Sequence, residues 1–139
     1  MEYLDLTSKM LYERFNEYNK KYFGGILPFT SLVVEPRLNV YGVFSYNTLV
    51  PKEKRKYTIR VNGSLGWHED TLQRLLVHEM VHLYIAHKGF FHLFSHGLHF
   101  NLIRLIIWVR WHFDISLSKK IITTRPDYAG RKIKKIWLR

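Results

Sequence analysis

Residues 75–84 read Leu-Leu-Val-His-Glu-Met-Val-His-Leu-Tyr, and this segment is the most informative part of the sequence. Its apolar residues recur at the spacing of an amphipathic helix. Residues four apart on a helix lie about 40° apart around its axis, so His78 and His82 project from one face, one turn apart. Glu79 lies about 100° around from His78. The HExxH pattern therefore predicts two zinc ligands, His78 and His82, beside a carboxylate that reaches a metal-bound water.

This arrangement predicts a hydrolytic reaction with one catalytic Zn²⁺ as the cofactor. Zinc lowers the pKa of a bound water to near neutrality, and a neighbouring carboxylate can take the proton as the water attacks a carbonyl. Glu79 is the predicted general base. The alternative is a metal-free helix on which the two histidines are packing residues.

The third ligand is left open by the residues themselves. No Asp or Glu occurs from Met80 through Phe113, so a glutamate ligand on the next helix is excluded. Ile85 and Lys88 stand where a metzincin would need Gly and His. The remaining candidates are His87, which points away from His82 by about 140°, and residues further along the chain. These are His92, His96, His99, His112 and Asp114.

Outward from this helix, the pattern predicts an α+β domain. A first helix is expected from Thr7 to Phe23, stopped by Gly24-Gly25. Three strands should follow at Ser31–Glu35, Val40–Tyr46 and Lys56–Val61, with residues 51–55 as a charged hairpin loop. We expect a small, mostly antiparallel sheet. The zinc helix should begin near Trp67 and end at Gly89.

A third helix is expected from Ser95, as its N-cap, to about His112. The tail from Ile115 is expected to form two basic strands or an irregular extension. No repeat or linker interrupts the chain, which predicts a single domain over 1–139 with a core at about 7–113 and a basic tail at 114–139. The apolar stretch 100–111 contains Arg104 and Arg110, so we expect a core helix and no membrane contact.

Composition limits the class of protein. Apolar residues make up 47% of the chain and there is no cysteine, which excludes disulfides and thiol chemistry. The first residues, MEYLDLTSKM, contain no apolar run of the kind found in a signal peptide. We therefore expect an intracellular protein, cytoplasmic or in the nucleoid or nucleus, that is not secreted. A monomer is the expected state.

The formal charge of +11 favours polyanionic partners such as DNA. The excess is concentrated in two clusters, for which a solvated basic face is the alternative interpretation. The predicted nucleic-acid contacts are Lys52, Lys54, Arg55 and Lys56 in one cluster and Lys132, Lys134 and Lys135 in the other.

Four segments together resemble the SprT-like, or Spartan-type, zinc metallopeptidases. They are LYERFNEYNKKYFGGILP at 11–28, Tyr41-Gly-Val-Phe44, LLVHEMVHLY at 75–84 and His96-Gly-Leu-His-Phe100. The resemblance covers roughly residues 9–112. It implies a zincin-like fold in which a helix after the HExxH helix carries the third ligand, and this ligand falls on His96.

The resemblance further implies a metalloendopeptidase that acts on proteins bound or crosslinked to DNA. His99 stands where the family commonly has Glu, which makes it a candidate substrate contact or support for the metal ligands. Tyr41 is a second candidate of that kind. Tyr41, His99 and Arg104 are unranked candidates for stabilising the oxyanion. The competing hypothesis is a non-catalytic basic module that binds DNA or protein and uses zinc structurally, although Glu79 favours catalysis.

Overall fold

The computed structural model describes residues 3–89 and 97–115. Three helices and a three-stranded sheet follow one another along this part of the chain. In chain order they are α1 (Ser8–Phe23), β1 (Thr30–Glu35), β2 (Gly42–Ser45), β3 (Tyr57–Asn62), α2 (Glu69–Lys88) and α3 (Leu98–Trp111). The predicted mixed α+β class is confirmed.

Helix α1 is bounded as the sequence predicts. The Thr7 side chain caps its first turn by accepting from the Met10 amide at 3.1 Å. Gly24 ends it in the left-handed conformation, with φ of 64°, which glycine adopts without a steric cost. The Tyr12 hydroxyl then accepts a hydrogen bond from the Leu32 amide, which fixes α1 against β1.

The sheet is mixed, so the expectation of a mostly antiparallel sheet is wrong. Its strand order is β1-β3-β2. Strand β3 pairs in parallel with β1, Leu32 opposite Ile59, and antiparallel with β2, Phe44 opposite Ile59. The sequence could not decide strand direction, because side chains alternate with a period of two in both kinds of pair.

The helices cover one face of this sheet. Along β3, Tyr57, Ile59 and Val61 are buried, whereas Thr58 and Arg60 between them are only partly buried. Strand β1 packs against α1, and β2 packs against α2. The connection from β2 to β3 contains a short 3₁₀ turn at Lys52–Lys54, which confirms the predicted charged hairpin loop.

Helix α2 begins at Glu69, two residues after the predicted start. The Thr71 hydroxyl accepts from the His68 amide at 3.0 Å and donates to the His68 carbonyl, which closes the first turn. Gly89 ends the helix with φ of 76°, as predicted. The helix is buried over most of its length because it lies between the sheet and α3.

Helix α3 differs from the prediction in two ways. It begins at Leu98 with Gly97 as its N-cap, so the predicted cap at Ser95 is wrong and His96 precedes the helix. Only one face of the helix lies in the core, where it contributes Phe100 and Ile107. Ile115, which follows the helix, is buried in the same core. The outer face, which includes Leu98, Leu102, Leu105 and Val109, is exposed, so α3 is only in part a core helix.

Within 3–89 and 97–115, no helix has both the length and the hydropathy that a membrane span requires. The predicted strands of the basic tail lie outside the described residues.

Candidate metal centre

The two histidines of the HExxH pattern lie side by side. Their ring centres are 5.2 Å apart and their ring planes are inclined by 69°. Both side chains are buried, with 3% of His78 and 4% of His82 exposed, and the Nε2 atom of His82 is withdrawn from solvent. The predicted convergence of the pair on one face of α2 is therefore present.

This geometry fits a zinc ion. Two imidazoles bound to tetrahedral zinc at Zn–N distances of about 2.0–2.1 Å place their ring centres about 5 Å apart. The separation in the structure matches that figure without movement of the helix. Imidazole nitrogen is also a donor that zinc favours.

Glu79 turns toward the sheet rather than toward α3. A Cβ on Gly42 would lie 3.0 Å from the Leu75 side chain, so the start of β2 passes directly over α2. One turn further along α2, the backbone of Phe44 faces the Glu79 carboxyl group. The carboxyl group thus lies between α2 and the edge strand β2, next to the imidazole pair.

The burial of this carboxyl group is costly. Only 1% of Glu79 is exposed, and neither carboxyl oxygen makes a hydrogen bond in the structure. Burial raises the pKa of Glu79 well above its ordinary value. A weak interaction with the Phe44 backbone lowers the pKa by a smaller amount. Burial of a carboxyl group without well-formed hydrogen bonds is unfavourable for stability.

Phe100 closes the site from the side of α3. Its ring centre lies 4.9 Å from that of His78 and 4.7 Å from that of His82, and 2% of the residue is exposed. No role at the site was predicted for Phe100 from the sequence. The signal was its position at the end of the segment His96–Phe100, in the first turn of the following helix.

The third ligand is not settled by the described residues. Within 3–89 and 97–115, no group of three or more His, Asp or Glu side chains is arranged to hold a metal ion. His96, the expected ligand, and His92 lie outside the described residues, and so do Lys132, Lys134 and Lys135. His87 lies instead in a cavity with Lys52 at the far end of α2.

The other candidates are placed as follows. Tyr41 is buried just before β2, its carbonyl accepts from the Asn62 amide at 3.0 Å, and burial raises its pKa. His99 is half-buried in the first turn of α3. Arg104 is exposed and lines an outer cavity with Trp108.

The first basic cluster is on the surface. Lys52, Lys54 and Lys56 are exposed and Arg55 is half-buried. All four belong to the connection between β2 and β3.

Comparison with known protein families gives a clear assignment. The model of the SprT-like family matches residues 11–115, which include all three helices and the sheet except the first residues of α1. The chain belongs to the SprT-like family. A comparison with curated proteins finds no significant match.

Proposed function

We propose that this protein is a zinc-dependent metalloendopeptidase in which His78, His82 and His96 hold the metal and Glu79 is the general base. The observation that carries the proposal is the pair of buried imidazoles, 5.2 Å apart, beside a buried carboxyl group whose oxygens make no hydrogen bond. Membership of the SprT-like family supports the same function.

Zinc supplies Lewis acidity at such a site, which acidifies water and polarises a peptide carbonyl. Glu79 takes a proton from the attacking water on a carboxyl oxygen and gives it to the departing amine nitrogen. Burial raises the pKa of Glu79, which makes its carboxylate a stronger proton acceptor for the first step. Phe100 keeps water away from the α3 side of the two imidazoles.

Chain connectivity supports His96 as the third ligand. His96 is bonded to Gly97, the N-cap of α3, and consecutive Cα atoms are about 3.8 Å apart. The first turn of the same helix brings Phe100 into contact with both imidazoles. A metal ligand at residue 96 would therefore have to span only a short distance to the two imidazoles.

We propose DNA-associated or DNA-crosslinked proteins as the substrates, and an intracellular, monomeric protein. The support is the SprT-like family, the charge of +11 and the exposed lysines between β2 and β3. The non-catalytic alternative, with a structural zinc, does not account for the buried carboxyl group of Glu79.

The test is Glu79→Gln, which preserves shape and removes the base. Zinc content and thermal stability should be retained, while cleavage of an unstructured protein, with or without single-stranded DNA, should fall by about 10²–10⁴-fold. Glu17→Gln is the matched control, since Glu17 is exposed on α1 and belongs to neither proposed site. Equal cleavage by Glu79→Gln and the parent protein would refute the assignment of the base.

A further inference from the structure

A second cavity, lined by several charged and polar residues, lies at the C-terminal end of α2, away from the imidazole pair. It has a volume of about 300 Å³ and is lined by Pro28, Lys52, Glu53, Arg55, Tyr57 and His87. His87 lies eight residues after Glu79, which is about 12 Å along the helix axis. The cavity is thus separate from the proposed metal site but close to it.

Tyr57 is the residue that marks this cavity as a binding site. Only 5% of Tyr57 is exposed, and its hydroxyl is buried and makes no hydrogen bond in the structure. The ring is held by Phe44 and Tyr46, with ring centres 5.8 and 5.6 Å away. A buried hydroxyl without a partner costs free energy unless a ligand satisfies it.

Arg55 is held in a fixed position at the same cavity. Its Nε donates to the Val50 carbonyl at 3.2 Å, and its guanidinium lies 4.9 Å from the ring centre of Tyr46. A guanidinium has five N–H donors, so the contact with Val50 leaves others to bind an anion. Because the group is already ordered, little side-chain entropy is lost when a ligand binds.

Lys52 and His87 also line the cavity and can donate hydrogen bonds into it. The Lys52 ammonium lies near Gly89 at the end of α2, 3.6 Å from where a Cβ would stand. Burial and the charges of Lys52 and Lys88 lower the pKa of His87, so its ring is neutral at pH 7 and can donate one hydrogen bond. Glu53 is the one acid that lines the cavity, and it is exposed.

We propose that this cavity binds a backbone phosphate of a nucleic acid through Lys52, Arg55 and the Tyr57 hydroxyl. The two cationic side chains and the hydroxyl group can donate hydrogen bonds to the two non-bridging oxygens of a phosphodiester. Exposed Lys54 and Lys56 extend the positive surface beyond the cavity, which suits a chain of phosphates better than a single phosphorylated side chain. The inference rests on the proposed association with DNA and not on the peptidase chemistry.

The experiment measures binding of a fluorescein-labelled single-stranded DNA to the zinc-loaded protein across a salt series. Tyr57→Phe should weaken binding three- to tenfold with an unchanged salt slope, because it removes a neutral donor. Lys52→Gln and Arg55→Gln should each weaken binding and reduce the salt slope by about one. Lys9→Gln is the matched control, since Lys9 is exposed on α1 and belongs to neither basic cluster, and it should change affinity by less than twofold.

Stability separates binding from folding. Tyr57→Phe should leave the melting temperature unchanged or raise it, because it removes an unsatisfied hydroxyl. A lowered melting temperature would show a structural hydrogen bond and overturn the proposal. So would wild-type affinity in Tyr57→Phe, or an equal effect of Lys9→Gln and Lys52→Gln.

Further controls identify the ligand. Inorganic phosphate at millimolar concentration should compete weakly, and a phosphoserine peptide should not bind in a Tyr57-dependent way. Tyr57-dependent binding of that peptide without DNA binding would overturn the nucleic-acid assignment. Failure of all DNA binding would also contradict the proposed DNA association, whereas DNA binding that is unaffected at Tyr57, Lys52 and Arg55 would contradict this inference alone. Peptidase activity of the same samples is a separate measurement.

Discussion

Phe100→Ala tests how the site is closed. The ring of Phe100 contacts both imidazoles and so packs α3 against α2, and only 2% of the residue is exposed. Its removal should therefore weaken the fold and open the metal site together.

The magnitude follows from the area that the ring buries. A buried phenylalanine hides about 150–250 Å², and ~25 cal/mol/Å² converts the lower figure into about 4 kcal/mol. Alanine retains a small part of this contact, while the cavity left behind adds a cost. The expected loss is about 3–5 kcal/mol. Small domains are stable by only about 5–15 kcal/mol, so the effect is large.

The assay is urea unfolding of the metal-free protein, followed by zinc titration of the folded variant. Leu102→Ala is the control on the same helix, because Leu102 is 51% exposed and its truncation should cost about 0.5 kcal/mol or less. Phe100→Leu should keep most of the stability. Equal losses for Phe100→Ala and Leu102→Ala would show that α3 does not pack on the site as described.

Two further predictions address the third ligand and the pH dependence. His96→Ala should lose stoichiometric zinc in elemental analysis, whereas His99→Ala should retain it, and the reverse result would move the ligand to His99. Glu69→Gln should lower the free energy of unfolding by less than about 1 kcal/mol at pH 7, because the hydrogen bond from Arg14 lowers the pKa of Glu69 but the Glu69 side chain is exposed and its charge is screened by solvent. A carboxyl group whose pKa is lower in the folded state stabilises the fold at pH values above its unfolded pKa, which is about 4.3 for Glu. The difference in unfolding free energy between the parent protein and Glu69→Gln should therefore shrink as the pH falls below about 4.3. A difference that grows as the pH falls would refute this prediction.

Much of the local structure could be predicted from the sequence. The ends of α1 and α2 follow from Thr7, Gly24 and Gly89, because capping depends on a few neighbouring residues. The direction of His78 and His82 follows from helix geometry alone. The start of α3 was misplaced because both Ser95 and Gly97 are acceptable caps, and local preference did not choose between them.

Local sequence was enough to predict the helix that carries the imidazole pair, the acidic residue beside it and the charge of the surface. The mixed direction of the strands, the packing of Phe100 on the imidazoles, the approach of β2 to Glu79 and the cavity around Tyr57 follow from tertiary packing and could not be predicted locally. The first group depends on residues within one or two turns of each other, whose relative positions the backbone fixes. The second depends on contacts between distant segments, which form only when the apolar faces of separate elements pack together.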